Sequence, residues 1–375
     1  MNDNPAQNLA NARLAFIALQ GLSVFRPAPG RAVGGAETQM RRLAAALTGR
    51  FGCRACFICL GDQDQLEEYD GLEVAVIDRG HGQLAKVRRI KEALREYAPT
   101  FVLQRASGLD TFLAGRYARR CGARFVYMLA HDRDARKLPW REELHWRRML
   151  YRRGLRSADR IVAQSEFQVN SLKCYWGLDA ELIRSLQEPP GEPVGSLAAK
   201  KEGLLWVGRA VEVKQPELFL ELAKRMPQIP CTMILNRTHR EEYFAKLRTE
   251  AEGLSNVRFV ESVAPDEIMS HFRAARLLVS TSRDEGFPNT HLDAFRAATP
   301  VMTLAADPDD LIAENELGFF AQGDFEALAR EIEKRYSDAE WLAATGRRAA
   351  DYLRDNHDPE KITSQWGALL GKLIK

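Results

Sequence analysis

Short apolar runs alternate with helix-length segments twice over in this chain, and a proline- and glycine-rich break separates the two series. In the first series "LAFIAL" (14–19), "CFICL" (56–60), "LEVAVI" (72–77), "FVLQ" (101–104), "RFVYMLA" (124–130) and "RIVAQS" (160–165) read as strands, with helices from about 35 and over 83–97, 109–121 and 167–175. A βαβα rhythm of this kind closes as a mainly parallel sheet with helices on both faces. The break, "SLQEPPGEPVGSLAAK" (185–200), suits neither a helix nor a central strand. From "GLLWVG" (203–208) the rhythm resumes through "CTMIL" (231–235), "VRFV" (257–260), "RLLVST" (276–281) and "PVMTL" (300–304), with helices over 215–226, 239–252, 265–275 and from about 288. Helices follow around 324–335, 338–355 and 359–373. The expectation is two doubly wound α/β domains, 1–185 and 201–356, joined by a linker at 186–200 and facing each other across a cleft, with 357–375 placed to pack back on the first. Ligands of such sheets bind beyond the carboxyl ends of the strands, so the cleft is the expected site.

The polar start "MNDNPAQNLANAR" lacks the apolar core of a secretory signal, and no run approaches the roughly 18 apolar residues of a membrane span. A cytoplasmic location is expected. Cys53, Cys56 and Cys59 are spaced as Cys-x-x-Cys-x-x-Cys, but on a strand a spacing of three sends successive side chains to opposite faces, so buried thiols are expected. Net charge is +3, yet residues 1–180 hold 29 Lys and Arg against 19 Asp and Glu, and the remainder holds 25 against 32. Much of the basic excess lies in 133–160, where Leu138, Trp140, Leu144, Trp146, Met149, Leu150 and Leu155 interleave with Arg and Lys. That pattern fits a core-packed helix with a solvated basic face, or attraction to an anionic membrane surface. No nucleic-acid-binding motif accompanies the charge, and nucleic acid is not an expected partner.

Three stretches carry chemistry. In "STSRDEGFPNTHLDAFRAATPV" (280–301), Glu285 and Asp293 stand eight positions apart around Gly286, Phe287 and Pro288. Pro288 suits the first position of a helix, and the N–H groups of residues 289 to 291 would then point at an anion. Glu285 before that end and Asp293 two turns in would grip a phosphorylated, hydroxylated ligand from both sides. The same spacing also fits a capping Glu and one buried Asp. In "LLWVGRAVEVKQPELFLELA", Arg209 ends a strand and Lys214 opens the next helix, a guanidinium fork and an ammonium suited to a diphosphate leaving group. In "RPAPGRAVGGAETQMRRLAAAL", Gly34 and Gly35 allow close backbone approach to a ligand, but the full dinucleotide fingerprint is lacking and a nicotinamide enzyme is not indicated.

Taken together these stretches resemble the family 4 glycosyltransferases, retaining sugar-nucleotide enzymes of the two-Rossmann-domain architecture called GT-B. "EGFPNTHLD" is similar to that family's pair of acids around Gly-Phe-Pro, "GRAVEVKQPELFLELA" to its Gly-Arg and Lys-Gln, "VGGAETQM" to its glycine loop, and "FVYMLAHD" to its strand ending in a cleft-facing His, here His131. The resemblance implies that Arg209 and Lys214 bind the donor diphosphate, that Glu285 contacts the transferred sugar, and that the backbone of Phe287, Pro288 and Asn289 lies by sugar and phosphate. His131 would hydrogen-bond the sugar or steer the acceptor, and Asp293 would hold the ribose hydroxyls. Two departures stand out. The family's second acid is Glu where this chain has the shorter Asp293, and "AFRAATPV" has Ala298 and Thr299 where the family usually has a Gly before the Pro-Val pair.

The resemblance further implies a nucleotide-sugar donor, a glycan, glycolipid or lipid-linked acceptor, and no metal or other cofactor. The Asp-x-Asp triplets Asp132 to Asp134 and Asp307 to Asp309 are accordingly not read as metal sites. A place on the inner face of a membrane, reached through the basic 133–160 segment, is compatible with it. A non-catalytic sugar-nucleotide-binding protein and another GT-B enzyme, such as an epimerase, are the alternatives.

Overall fold

The computed structural model describes residues 9–27, 34–136, 145–191, 201–238, 240–264 and 267–374. The chain divides into two compact units. The first comprises residues up to Arg26, Val33–Leu186 and Pro359–Lys375, and the second comprises chiefly Gln187–Asp358.

The first unit is built on an eight-stranded sheet: β1 Arg13–Ile17, β2 Arg54–Gly61, β3 Gln65–Tyr69, β4 Leu72–Asp78, β5 Phe101–Arg105, β6 Arg124–Met128, β7 Arg160–Ala163 and β8 Glu181–Leu182. Their order across the sheet is β3-β4-β2-β1-β5-β6-β7-β8, and all pairings are parallel except β3 with β4. The central strands are buried along all but a terminal residue because helices cover both faces, so they carry near-continuous apolar runs instead of an alternation. Cys53 and Cys59 join the core on one face and Cys56 the core on the other, as the spacing predicts. All three are buried and free, and burial raises their thiols, Cys53 to about 11 and Cys56 and Cys59 to about 12. The β3–β4 hairpin was not anticipated. It turns through Asp70 and Gly71, both at positive φ (52° and 76°), which fits a two-residue Asp-Gly hairpin turn.

Of the basic segment, 137–144 lies outside the described residues, including Leu138, Trp140 and Leu144. The rest forms a short turn, Asp132–Ala135, and the helix His145–Ser157. That helix buries Tyr151, Gly154 and Leu155. Gly154 permits the approach, since a Cβ there would lie 2.8 Å from the Phe112 nitrogen on the helix Leu109–Cys121. Its outer face exposes Trp146 and Met149 among the arginines. The C-terminal helix Pro359–Gly371 belongs to this unit: Ile362, Trp366, Leu369 and Leu370 enter its core, and Gly367 seats against Phe51 at the end of the helix Gly35–Phe51.

The second unit carries a six-stranded, all-parallel sheet ordered β11-β10-β9-β12-β13-β14, from β9 Leu204–Arg209, β10 Cys231–Asn236, β11 Val257–Val260, β12 Leu277–Ser280, β13 Val301–Thr303 and β14 Gly318–Phe320. Strand order reverses between β9 and β12, which neighbour each other although three helices and two strands separate them in sequence. Such a reversal leaves a crevice at the carboxyl ends, where the loops after the two strands diverge to opposite faces.

Candidate functional site

Arg209 is the last residue of β9, and Glu285 follows β12, so the strand reversal places both loops side by side. Three hydrogen bonds lock them. Trp206 Nε1 donates to Thr281 Oγ1 (2.9 Å), whose hydroxyl donates to the Lys214 carbonyl (2.7 Å), and the Arg283 N–H donates to the Val213 carbonyl (2.9 Å). Gly208 is needed under this arrangement, because a Cβ there would lie 2.5 Å from the Trp206 ring. With Lys214 held by its own backbone, its ammonium meets the Glu285 carboxylate in an ion pair. The pair is largely withdrawn from water, with side chains 21% and 11% exposed. Arg209, by contrast, is exposed, and its guanidinium has no partner among the described residues.

The helix after Glu285 spans Asn289–Arg296, with Pro288 as its cap at φ −72° and ψ 120°. This corrects the expected placement of Pro288 at the first helical position by one residue. Of the N–H groups expected to be free at 289–291, that of His291 is used: it donates to the Pro288 carbonyl at 3.0 Å, a tight i to i+3 bond closing the first turn. Gly286, Phe287 and Pro288 are buried, and Phe287 packs against His357 with ring centroids 5.4 Å apart. Asp293 does not point unaccompanied at the site. Gln187, itself fully buried, donates its Nε2 to Asp293 Oδ1 at 2.5 Å, and the Gln187 N–H is anchored on the His357 carbonyl (3.0 Å).

One residue of this region escaped the sequence reading. His291 is fully buried, and neither ring nitrogen has a hydrogen-bond partner. Burial pushes it down to about 4, with Lys214 adding to the depression and Glu285 opposing it. It is a neutral ring behind an ion pair. Its position three residues past Pro288, on the inner face of the helix, was the available signal.

In the first unit, Gly34 caps the helix Gly35–Phe51 and a Cβ on it would run into the Glu37 carboxylate. His131 caps the turn Asp132–Ala135: its Nδ1 accepts from Arg133 N (3.2 Å), and Asp134 Oδ2 accepts from His131 N (3.0 Å) and Ala130 N (2.9 Å). An occupied Nδ1 lone pair leaves Nε2 as the donor of the neutral ring. The first Asp-x-Asp triplet is thus spent on structure, with Asp134 also accepting from Ser107 and Asp132 from Gln168 Nε2 (3.1 Å). In the second, Asp307 accepts the N–H groups of Ile312 (2.8 Å) and Ala313 (3.0 Å). Among the described residues no group of three or more His, Cys, Asp or Glu could hold a metal ion. Arg105, which ends β5, was also missed. It donates to Gln164 Oε1 (2.7 Å), and desolvation lowers it to about 10 against the pull of Glu37 on the helix Gly35–Phe51 and of Asp134 in the His131 turn.

Comparison with known proteins follows these units. Residues 34–186 match the model of a glycosyl transferase 4-like domain, and residues 201–338 match that of the glycosyl transferases group 1. A D-inositol 3-phosphate glycosyltransferase of Geodermatophilus obscurus is 29% identical over 224 residues, covering 52% of this chain and 49% of that protein. The lipopolysaccharide core biosynthesis mannosyltransferase LpcC of Rhizobium leguminosarum bv. viciae is 31% identical over 176 residues, 44% of this chain and 50% of that one. The chain thus spans about half the length of these curated relatives. Among solved structures, sucrose-phosphate synthase from Thermosynechococcus elongatus superposes with a TM-score of 0.76 at 18% identity, covering 97% of this chain and 99% of that one. WaaG, a glycosyltransferase involved in lipopolysaccharide biosynthesis, superposes at 0.65 and 17% identity over 95% and 99%. These two likenesses speak for the fold.

Proposed function

The chain belongs to the GT4-like glycosyltransferases of GT-B fold, and from that premise we propose that it moves a sugar, with retention of configuration, from a nucleotide-sugar donor to a hydroxyl of a glycan, glycolipid or lipid-linked acceptor. The observation that carries this reading is the Lys214–Glu285 pair, locked at the strand reversal beside the unpartnered Arg209. An ammonium already aimed and partly desolvated stabilises developing diphosphate charge without reorganising. Glu285 keeps that ammonium in place until the donor arrives and then accepts hydroxyls of the transferred sugar. Arg209 closes on the diphosphate as a bidentate fork. Asp293, held by Gln187, takes the ribose hydroxyls, and the backbone of Phe287 to Asn289 lies along sugar and phosphate.

Retention requires the acceptor hydroxyl to approach the face from which the diphosphate leaves. The departing phosphate itself takes the acceptor proton, so positioning and charge stabilisation carry the rate and no side chain acts as nucleophile. His131, whose Nδ1 is engaged by the Arg133 N–H so that Nε2 is left as its donor, steers the sugar or the acceptor. The charge stabilisers are protein cations, so turnover is expected to survive chelation. On the acceptor side, the exposed Trp146 and Met149 on the arginine-rich helix His145–Ser157 suit an anionic leaflet, and that surface is the proposed membrane partner. No helix of the described residues is long and apolar enough to cross a membrane.

Release of nucleoside diphosphate from a panel of nucleotide-sugars, without acceptor and with or without chelator, tests the reading. Release from one donor that Lys214→Met abolishes supports it; nucleotide-sugar binding with no release from any donor favours a non-catalytic protein.

A further inference from the structure

The amino edge of the second unit's sheet, opposite the loops of Lys214 and Glu285, holds a half-buried lysine that the proposed transfer does not use. Lys201 lies just ahead of β9, and its ammonium donates to the carbonyls of Ala297 (2.6 Å) and Ala298 (3.0 Å) and to Thr299 Oγ1 (2.6 Å). All three acceptors are neutral. Burial alone brings Lys201 down to about 7, and the negative end of the helix Asn289–Arg296 offsets only part of what burying an uncompensated ammonium costs. The backbone is bent to build this cage. Ala298 has φ +51°, a left-handed conformation that residues other than glycine seldom adopt, and a Cβ on Gly346 of the helix Ala339–His357 would lie 2.5 Å from the Ala298 carbonyl oxygen. This is the stretch where Ala298 and Thr299 depart from the family's usual glycine.

A cavity of about 230 Å³ opens beside Lys201. Arg276 and Arg347 also line it, together with Pro300 and Leu342, and no carboxylate of the described residues does. Arg276 is fixed by the carbonyls of Lys201 (3.1 Å) and Tyr336 (3.0 Å), while Arg347 is exposed and has no partner among the described residues. Two guanidinium groups and Lys201 around one cavity, with no acid among its described lining residues, lack a counter-charge that a ligand can bring. We propose that this cavity binds a small oxyanion, a phosphate- or carboxylate-bearing compound whose charge meets Arg276 and Arg347 beside Lys201 and whose body rests on Pro300 and Leu342. Guanidinium groups suit such anions because they present paired donors in one plane.

The test titrates the full chain with inorganic phosphate at constant ionic strength, followed by calorimetry and thermal shift, with acetate as a second probe. Saturable phosphate binding is expected in the parent and in Arg209→Ala. In the Arg209→Ala background it should weaken at least tenfold on adding Arg347→Ala and vanish on adding Ala343→Trp, whose side chain fills the cavity. Tighter binding of phosphate than acetate assigns the site to phosphorylated compounds, and the reverse to carboxylates. No saturable binding of either anion, equal affinity in Arg209→Ala with and without Arg347→Ala, or loss in Arg209→Ala would overturn the proposal. No nucleotide-sugar or turnover enters the experiment, so its outcome is independent of the transferase reading.

Discussion

Replacing Lys214 by Met strips the ammonium from Glu285 while keeping the stem's length and packing. The carboxylate left behind is 11% exposed and the lost partner 21%, between the fully buried case, where orphaning one partner costs about 3–5 kcal/mol, and the exposed case at about 0–1 kcal/mol. A cost of about 2 kcal/mol follows, which in a domain of this size lowers the thermal midpoint by roughly 4–8 °C. Glu285→Gln should cost less, because Lys214 can reach toward water along its flexible stem. The double variant should be more stable than the sum of the single losses by about 1–2 kcal/mol, the signature of a direct pair. Thermal denaturation of the four proteins supplies the cycle. Turnover should fall roughly 100-fold or more in Lys214→Met, the scale of a lost transition-state donor. Additivity within about 0.3 kcal/mol, or near-parental turnover in Lys214→Met, would refute the idea that a preformed pair awaits the donor.

Arg209→Ala should leave the thermal midpoint unchanged, since the guanidinium is exposed and has no partner among the described residues, while lowering turnover by roughly 100-fold; parallel melting and kinetic measurements check both halves. Gln187→Leu removes the 2.5 Å donor from Asp293 and should weaken nucleoside diphosphate binding about tenfold by calorimetry, as expected for one hydrogen bond to a charged group. The pH dependence of stability follows from His291, whose folded value of about 4 lies below its ordinary 6.5. Between those values the unfolded chain binds the extra proton, so stability is full above about pH 6.5 and falls as pH drops toward 4. Denaturant midpoints at pH 7 and pH 4.5 should differ in the parent, and by less in His291→Phe.

The fold was legible because its signals are local and repeated. The helices 83–97 and 109–121 coincide with the expected ranges, and the cysteine spacing on β2 sorts its thiols to opposite faces as a period of two demands. β3 was missed because "QLEEY" on a sheet edge is polar and half exposed, and only the Asp70–Gly71 turn betrayed it. For the candidate site, sequence spacing brought out Arg209, Lys214, Glu285 and Asp293, yet not their pairing. Lys214 and Glu285 lie 71 residues apart and meet only because strand order reverses between β9 and β12. Gln187 lies 106 residues from Asp293, and nothing in a run of prolines and glycines marks it as that acid's partner. Arg105, His291 and Lys201 were invisible for a common reason. Each is defined by desolvation, which depends on what the rest of the chain packs against it.

Whether the carboxyl edge of the second sheet receives a nucleotide-sugar is decided by a thermal-shift panel of nucleoside diphosphates and their sugars on the parent chain, Arg209→Ala and Lys214→Met. One base should raise the parent's midpoint, its sugar conjugate at least as much, and both variants should lose most of that rise. No shift with any nucleotide, or a shift that both variants retain, would rule out donor binding at this edge.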